Sequence, residues 1–369
     1  MTSSLVVVES PSKSKTLESY LGKDFKVLAS YGHVRDLLPK KGAVDPDNNF
    51  AMVYETIERN EKAVNAIKRA LKKVDTLYLA TDPDREGEAI SWHLYELLKE
   101  NGCLENKEVH RVAFYEVTKS AVQDAIKNPR ELSSNLVDAQ QARRALDYLV
   151  GFNLSPLLWK KIHKGLSAGR VQSPALRMIV EREKEIEDFK TREYWTIESD
   201  LEFSGSEFLG KLTEFNNEKI KKFSIENTKQ AFTIKFTLEK ASTGELLVKS
   251  VKKTQSKRQP TAPFITSTLQ QEAIRKLGFT AQWTMRIAQQ LYEGIDIGEG
   301  SIGLITYMRT DSVNLAEEAL TEIRDFISSR YGKNSLPEQV RIFKTKSKNA
   351  QEAHEAIRPT SVTRLPSDI

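Results

Sequence analysis

A single cysteine, Cys103, stands in 369 residues, so these residues can form no internal disulfide and no cysteine-based zinc site. That usage fits a reducing cytoplasm. No apolar run approaches the roughly 20 residues a membrane helix needs, and no membrane partner is expected. Met1-Thr2-Ser3-Ser4 passes straight into an apolar strand, so no signal peptide is visible. Internal repeats, low-complexity tracts and the glycine-rich P-loop of nucleotide hydrolases are missing as well. Neither sign of charge is in excess: 56 basic against 51 acidic residues leave +5, too little to demand a polyanion partner.

What is present describes a soluble globular protein, with 39% hydrophobic and 29% charged residues. Its length asks for two or three domains. The most informative stretch is Leu77-Tyr78-Leu79-Ala80-Thr81-Asp82-Pro83-Asp84-Arg85-Glu86-Gly87-Glu88. An apolar strand ends in carboxylates at alternate positions, Asp82, Asp84 and Glu86, and a helical pattern follows with Ile90, Leu94, Leu97 and Leu98 on one face. That order presents acids at the carboxyl edge of an α/β sheet, where such folds bind ligands. Crowded carboxylates repel, and a hard divalent cation such as Mg²⁺ relieves the repulsion while keeping waters for phosphate chemistry. The same spacing equally suits a solvated acidic turn that complements a helix dipole.

Leu5-Val6-Val7-Val8 reads as a buried parallel strand ending at Glu9, and Ser10-Pro11-Ser12-Lys13 opens a helix. Glu9 therefore occupies the same kind of strand-end position as Asp82. Lys13 could reach a phosphate or donate a proton; as a lone helix lysine it would simply be exposed. Phe25–Ser30 is another strand, followed by the loop Tyr31–Leu37, whose His33 and Arg35 suit phosphate. Helices at Glu58–Val74 and Thr118–Ile126 and a strand at Glu108–Phe114 complete an α/β domain over residues 1–150. Helical patterns at Leu136–Leu149 and Val171–Phe189 follow. From Tyr194 to about Val251 the period changes: Trp195, Ile197, Leu201 and Phe203, then Phe232, Ile234, Phe236 and Leu238, alternate as antiparallel strands would. Helices return at Ser267–Leu277, Thr280–Tyr292 and Ala316–Tyr331.

Between the last two lies Gly303-Leu304-Ile305-Thr306-Tyr307-Met308-Arg309-Thr310-Asp311-Ser312, whose apolar approach looks like a short strand. Tyr307 can be a nucleophile, but a phenol of pKa about 10 needs a base or a cation nearby. Arg309, two residues on, would point to the same face of a strand, and His354 could add charge if the fold brings it close. On spacing alone, a half-buried strand aromatic is the preferred reading of Tyr307. Basic clusters at Lys160–Arg170, Lys249–Arg258 and Arg341–Lys348 suit a phosphate backbone or merely solvated loops.

Taken together, the motifs resemble the type IA DNA topoisomerases, specifically bacterial DNA topoisomerase I. Val8–Lys13 is similar to that family's opening, Thr81–Glu88 to its Toprim acidic motif, and Ile305–Ser312 to its active-site tyrosine segment. Ser167–Ser173, Pro263–Gln270 and His354–Thr360 match further signatures, and Met308 favours topoisomerase I over topoisomerase III. The resemblance implies a multidomain α/β and α+β chain. Its parts would be an N-terminal Toprim (Rossmann-like) domain over 1–150, the first part of a helical domain over 151–193, a partial β-rich arch over 194–260, and a helical domain with the active-site tyrosine over 261–369. It implies that Tyr307 attacks single-stranded DNA, is joined to the 5′ phosphate, and reseals after strand passage, relaxing negatively supercoiled DNA without ATP. Arg309 would polarise the phosphate, Glu9 would sit beside Tyr307, and Lys13 would help protonate the leaving oxygen. Glu9, Asp82, Asp84 and Glu86 would hold Mg²⁺; His33, Arg170, Asp311, His354 and Arg358 would contact DNA. A cytoplasmic, nucleoid-associated monomer is implied. Family members continue beyond residue 369, so the expectation is an incomplete chain that binds and could cleave single strands but does not relax plasmid DNA. The competing readings are a Toprim nuclease or primase and a non-catalytic DNA-binding fragment.

Overall fold

The computed structural model describes residues 4–298, 300–344 and 355–368; His354 lies outside them. The N-terminal apolar run forms β1 (Ser4–Val8), buried at every position. Ser10 then caps α1 (Pro11–Leu21) by accepting from the Lys13 amide, with proline in the first turn, and Gly22 (φ +77°) closes it. β2 (Phe25–Ala29) follows. Next come β3 (Arg35–Leu37), β4 (Val44–Asp45), β5 (Ala51–Met52) and β6 (Tyr54–Thr56), paired antiparallel as β3 with β6 and β4 with β5. The sequence then runs through α2 (Glu61–Leu71), β7 (Thr76–Leu79), α3 (Arg85–Glu100), β8 (Glu108–Arg111), α4 (Lys119–Lys127) and α5 (Ser134–Lys161). The main sheet is parallel throughout, in the order β2-β1-β7-β8.

Strand alternation divides β1 between two cores. Leu5 and Val7 join Leu77 and Leu79 against Val64, Ile67 and Leu71 of α2 and Leu94, Leu97 and Leu98 of α3. Val6 and Val8 face the other way, onto Leu17, Val27, Phe114 and Val117, and here Tyr292, Tyr307 and Met308 pack too. Each fully buried aliphatic side chain contributes about 1.5–3 kcal/mol. This second core is what brings a segment from late in the sequence onto the N-terminal sheet.

Contacts divide the chain into one unit spanning Met1–Arg170 with Pro260–Ile369 and another spanning Val171–Gln259. The second unit contains α6 (Gln172–Glu187), the hairpin of β9 (Glu198–Phe203) and β10 (Ser206–Lys211), a shorter pair of β11 (Glu214–Phe215) and β12 (Glu218–Lys219), and α7 (Thr228–Ser242). The hairpins match the antiparallel expectation; α7 does not. The apparent alternation of Phe232, Ile234, Phe236 and Leu238 hides a helical stripe, since Ala231, Ile234 and Leu238 are the less exposed positions. Asn227 caps the helix by accepting from the Gln230 amide, and Thr243 (φ +50°) ends it.

The first unit resumes with α8 (Thr266–Leu277), α9 (Ala281–Glu293), the short pair β13 (Ile295–Asp296) and β14 (Ser301–Ile302), and α10 (Glu317–Tyr331). The expected strand before Tyr307 is absent. Only an isolated bridge, Ile305 to Pro359, forms there. The segment is instead stitched to two neighbours: Gly303 and Tyr307 amides donate to Val117 and Tyr115 carbonyls at 3.1 and 2.8 Å, and the Thr306 amide donates to Arg358 at 2.9 Å. Glycine is required at 303, where a Cβ would lie 2.7 Å from the Tyr292 carbonyl oxygen. Among the described residues no helix is long and apolar enough to cross a membrane.

Candidate active site

Adjacent parallel strands set the ends of β1 and β7 side by side, so the residues that follow each strand meet. Lys13, one turn into α1, joins them: its Nζ donates to Glu9 Oε1 at 3.0 Å and to Asp82 Oδ1 at 2.9 Å. The expectation of an exposed helix lysine is overturned, because Lys13 is wholly buried. Its ammonium also lies 4.8 Å from the Phe114 ring centre and 5.6 Å from that of Tyr292. Burial opposes its charge, but Asp82 and Glu9 outweigh burial and raise its pKa. Burial, reinforced by the Asp82 charge, pushes Glu9 up to about 8. Burial also opposes ionisation of Asp82, yet the Lys13 ammonium holds it below its ordinary value. Glu9 thus carries the proton of the pair and Asp82 the charge.

The three acids of the Asp82–Glu86 motif part company. Asp84 caps α3, Oδ1 accepting from the Gly87 amide at 2.9 Å, while Oδ2 accepts from the Tyr307 hydroxyl at 2.7 Å. Arg309 Nη1 lies 3.5 Å from that same oxygen. Tyr307 and Arg309 thus share a target without the strand that was expected to align them. Glu86 lies 3.4 Å from His33 Nε2 and accepts from Gln140 at 3.2 Å; the His33 hydrogen bond leads in drawing its pKa down to about 2. The turn is tight, since a Cβ on Gly87 would sit 2.1 Å from the Asp82 carbonyl oxygen.

Among the described residues no three acidic, cysteine or histidine groups gather as a closed metal cage. The chemistry of the donors nevertheless fits a hard, water-carrying cation. Glu9, Asp82, Asp84 and Glu86 line one cavity of about 520 Å³, and Glu9 Oε2 is buried there without a hydrogen-bond partner.

Tyr307 is 2% exposed, with its ring edge-on to Tyr292 at 5.1 Å. Burial first, then the charges of Asp82 and Asp84, push its phenol far above the ordinary value, against the pull of Arg309. It is a neutral phenol whose proton already has an acceptor.

The remaining candidates are spread around this centre. Asp311 lines a neighbouring cavity of about 610 Å³ with Arg85, Arg143 and Arg309, at the start of α8. Arg170 pairs with Asp147 at 2.6 Å. Arg358 is held by Glu355 and Glu116 at 2.6 and 3.0 Å and is largely buried, so in this conformation it fastens the 355–360 segment. Sequence reasoning missed the buried network behind the acids. Arg111 donates to Glu88 at 3.0 Å and to the carbonyls of Leu79, Thr81 and Asp82 at 3.0, 2.9 and 2.7 Å. Glu88 also receives Arg130 and the Ser133 amide. The available signal was a charged Arg111 inside the otherwise strand-like Val109–Val112 run.

A family model described as DNA topoisomerase matches residues 131–368, and one described as Toprim domain matches 4–117. DNA topoisomerase 1 of Xylella fastidiosa (strain Temecula1) is 60% identical over 100% of this chain and 45% of its own length. That of Rickettsia bellii is 58% identical over 99% of the chain and 46% of its own length. Full-length topoisomerase I from Thermotoga maritima superposes with a TM-score of 0.80 at 39% identity, over 99% of this chain and 56% of that one. The chain thus spans about half the length of these relatives. With an acidic Toprim edge, a buried tyrosine seated on it, and family matches over nearly all its residues, the chain belongs to the bacterial DNA topoisomerase I family, the type IA DNA topoisomerases.

Proposed function

We propose that this chain carries the cleaving and resealing centre of a type IA topoisomerase, whose whole protein relaxes negatively supercoiled DNA without ATP. The observation that carries the reading is the Tyr307 hydroxyl donating to Asp84 at 2.7 Å, with Arg309 on the same carboxylate. In the forward step the Tyr307 oxygen forms a bond to the phosphorus of a single strand and the bond to the 3′ oxygen breaks. The phenol proton passes to Asp84, and the departing 3′ oxygen takes the proton that Glu9 holds. Arg309 polarises the phosphate and stabilises charge on its oxygens. Lys13, clasped between two carboxylates, fixes Glu9 and Asp82 and is a poorer acid than Glu9. The reverse step restores the phosphodiester, so the linkage itself conserves the bond and no nucleotide is consumed.

Glu9, Asp82, Asp84 and Glu86 would hold Mg²⁺, which when bound supplies positive charge to the phosphate during resealing. His33, Arg170, Asp311 and His354 are proposed to touch the strand, and Arg358 to hold the segment that carries its neighbours. The reading takes the protein as a cytoplasmic, nucleoid-associated monomer.

The test uses one single-stranded oligonucleotide labelled at either its 5′ or its 3′ end. After denaturation, label attached to protein is expected only from the 3′-labelled form, because the 5′ phosphate of the downstream fragment is the joined end. Protein-bound 5′ label overturns the polarity. Cleavage with no attached label in either form favours a Toprim nuclease.

A further inference from the structure

The acidic centre lies at one end of α3; the other end of that helix borders a basic groove that no step above uses. The groove is open, about 1070 Å³, and runs between the outer face of α2 and the turn from α3 to β8. α2 turns Val64, Ile67 and Leu71 onto the sheet, which leaves Lys62, Asn65, Arg69 and Lys72 as an outward stripe at helical spacing. Lys68 and Lys107 also line the groove, and Glu105 is the only acidic residue there. None of Lys62, Lys68, Arg69 and Lys72 forms an ion pair among the described residues, whereas Lys107 pairs with Asp75 at 3.6 Å and donates to the Val74 carbonyl at 2.6 Å. Four cations on one helix repel one another, and the single carboxylate of its first turn, Glu61, cannot offset them all.

We infer that this groove binds the phosphate backbone of duplex DNA, as a second DNA contact separate from the cleavage centre. Two observations choose duplex over single strand. The groove is lined by lysine, arginine, asparagine and small residues with no aromatic ring, so it has no platform on which unpaired bases could stack. It also offers charge and amides without a pocket for base edges, which suits sequence-independent backbone contact. The stripe from Lys62 to Lys72 spans roughly 15 Å, about four phosphates of one strand at 3.4 Å each. The 16 residues of α3 hold the groove roughly 24 Å from the acids, so a duplex bound there would flank the cleavage centre rather than enter it.

The inference rests on the proposed DNA-cleaving function, and the experiment separates the two. The full chain and its Lys62→Gln/Arg69→Gln/Lys72→Gln variant are titrated with a 20-base-pair duplex across a salt series, and each is assayed for single-strand cleavage. The slope of log affinity against log salt is expected to shrink by roughly two to three in the variant, with duplex binding about tenfold weaker or more at low salt. Cleavage of a short single strand stays unchanged. Equal duplex affinity and slope in the two proteins overturn the inference, and so does a loss of polyglutamate binding with duplex binding intact, which would assign the groove to an acidic peptide. Should the triple variant lose its fold, Lys72→Gln alone carries the test with a slope change of about one, and Lys62→Arg/Lys72→Arg must keep wild-type binding. Absence of cleavage in the wild type would instead count against the proposed function and leave the duplex comparison to decide the groove.

Discussion

The Tyr307 hydroxyl donates to Oδ2 of Asp84 at 2.7 Å while Oδ1 of the same carboxylate caps α3. One side chain therefore fixes the start of the helix and accepts from the buried phenol. Burial keeps that phenol neutral, so attack on phosphorus requires Asp84 as acceptor. Asp84→Asn is expected to lower the rate of adduct formation by 10²–10⁴, on the order of the usual contribution of a positioned base. Asparagine preserves the cap, so the melting temperature should move little. A variant with unchanged cleavage kinetics would remove Asp84 from the reaction.

Glu9 supplies the pH dependence. Its pKa is raised to about 8 by burial and Asp82, so the protonated acid predominates at neutral pH and disappears as pH rises through about 8. Cleavage is expected to fall along that limb, and Glu9→Gln to be slower but flat across it. For stability the sign follows from the same shift: the folded state holds the proton more tightly than the unfolded one, so the contribution is complete below the ordinary carboxylate range and lost as pH rises through about 8. Single-turnover cleavage and thermal denaturation at pH 6 to 9.5 read both effects.

Gly87→Ala places a methyl 2.1 Å from the Asp82 carbonyl oxygen. The obstacle is backbone, so the acidic turn must shift, at a cost of about 1–3 kcal/mol. The variant should melt lower and need more Mg²⁺ to reseal. Gly151→Ala is the control: it sits in α5 with nothing within 4 Å of a Cβ, and alanine there is expected to be neutral or to stabilise by up to about 1 kcal/mol.

Glu88→Ala leaves Arg111 buried with its charge unmatched, since Glu88 is the carboxylate that both Arg111 and Arg130 reach. A loss of about 3–5 kcal/mol is expected, read by denaturant unfolding. Arg111 also grips three carbonyls at the end of β7, so the shift should displace Asp82 and weaken resealing. Glu88→Gln keeps shape and some hydrogen bonds, and should fall between wild type and alanine.

Much of this centre was legible because it sits where local chemistry is strict. Leu5–Val8 and Leu77–Leu79 are short apolar runs that read most simply as buried strands, and the acids after them share an edge once the strands pair. The burial of Lys13 was not legible: helix periodicity cannot report that two strand-end carboxylates will pull an ammonium out of water. Tyr307 was expected on a strand and is held by hydrogen bonds to residues 115–117 and 357–360, partners that local pattern does not encode. The 228–242 helix was misread because period 2 and period 3.6 both fit its apolar positions, and the Asn227 cap was the cue that separates them. Arg111 and Glu88 resisted for the reason Lys13 did, since their partners are distant in sequence and buried.

The central claim is that the phenol seated on the acidic edge becomes covalently joined to DNA, and mapping the joined residue tests it most directly. The protein is incubated with a single-stranded oligonucleotide, denatured, digested, and the nucleotide-bearing peptide sequenced by mass spectrometry, with Tyr307→Phe alongside. The nucleotide is predicted on Tyr307 through a 5′ phosphate, with no adduct in the variant. An adduct on another residue, or strand cleavage that persists in Tyr307→Phe, would contradict it.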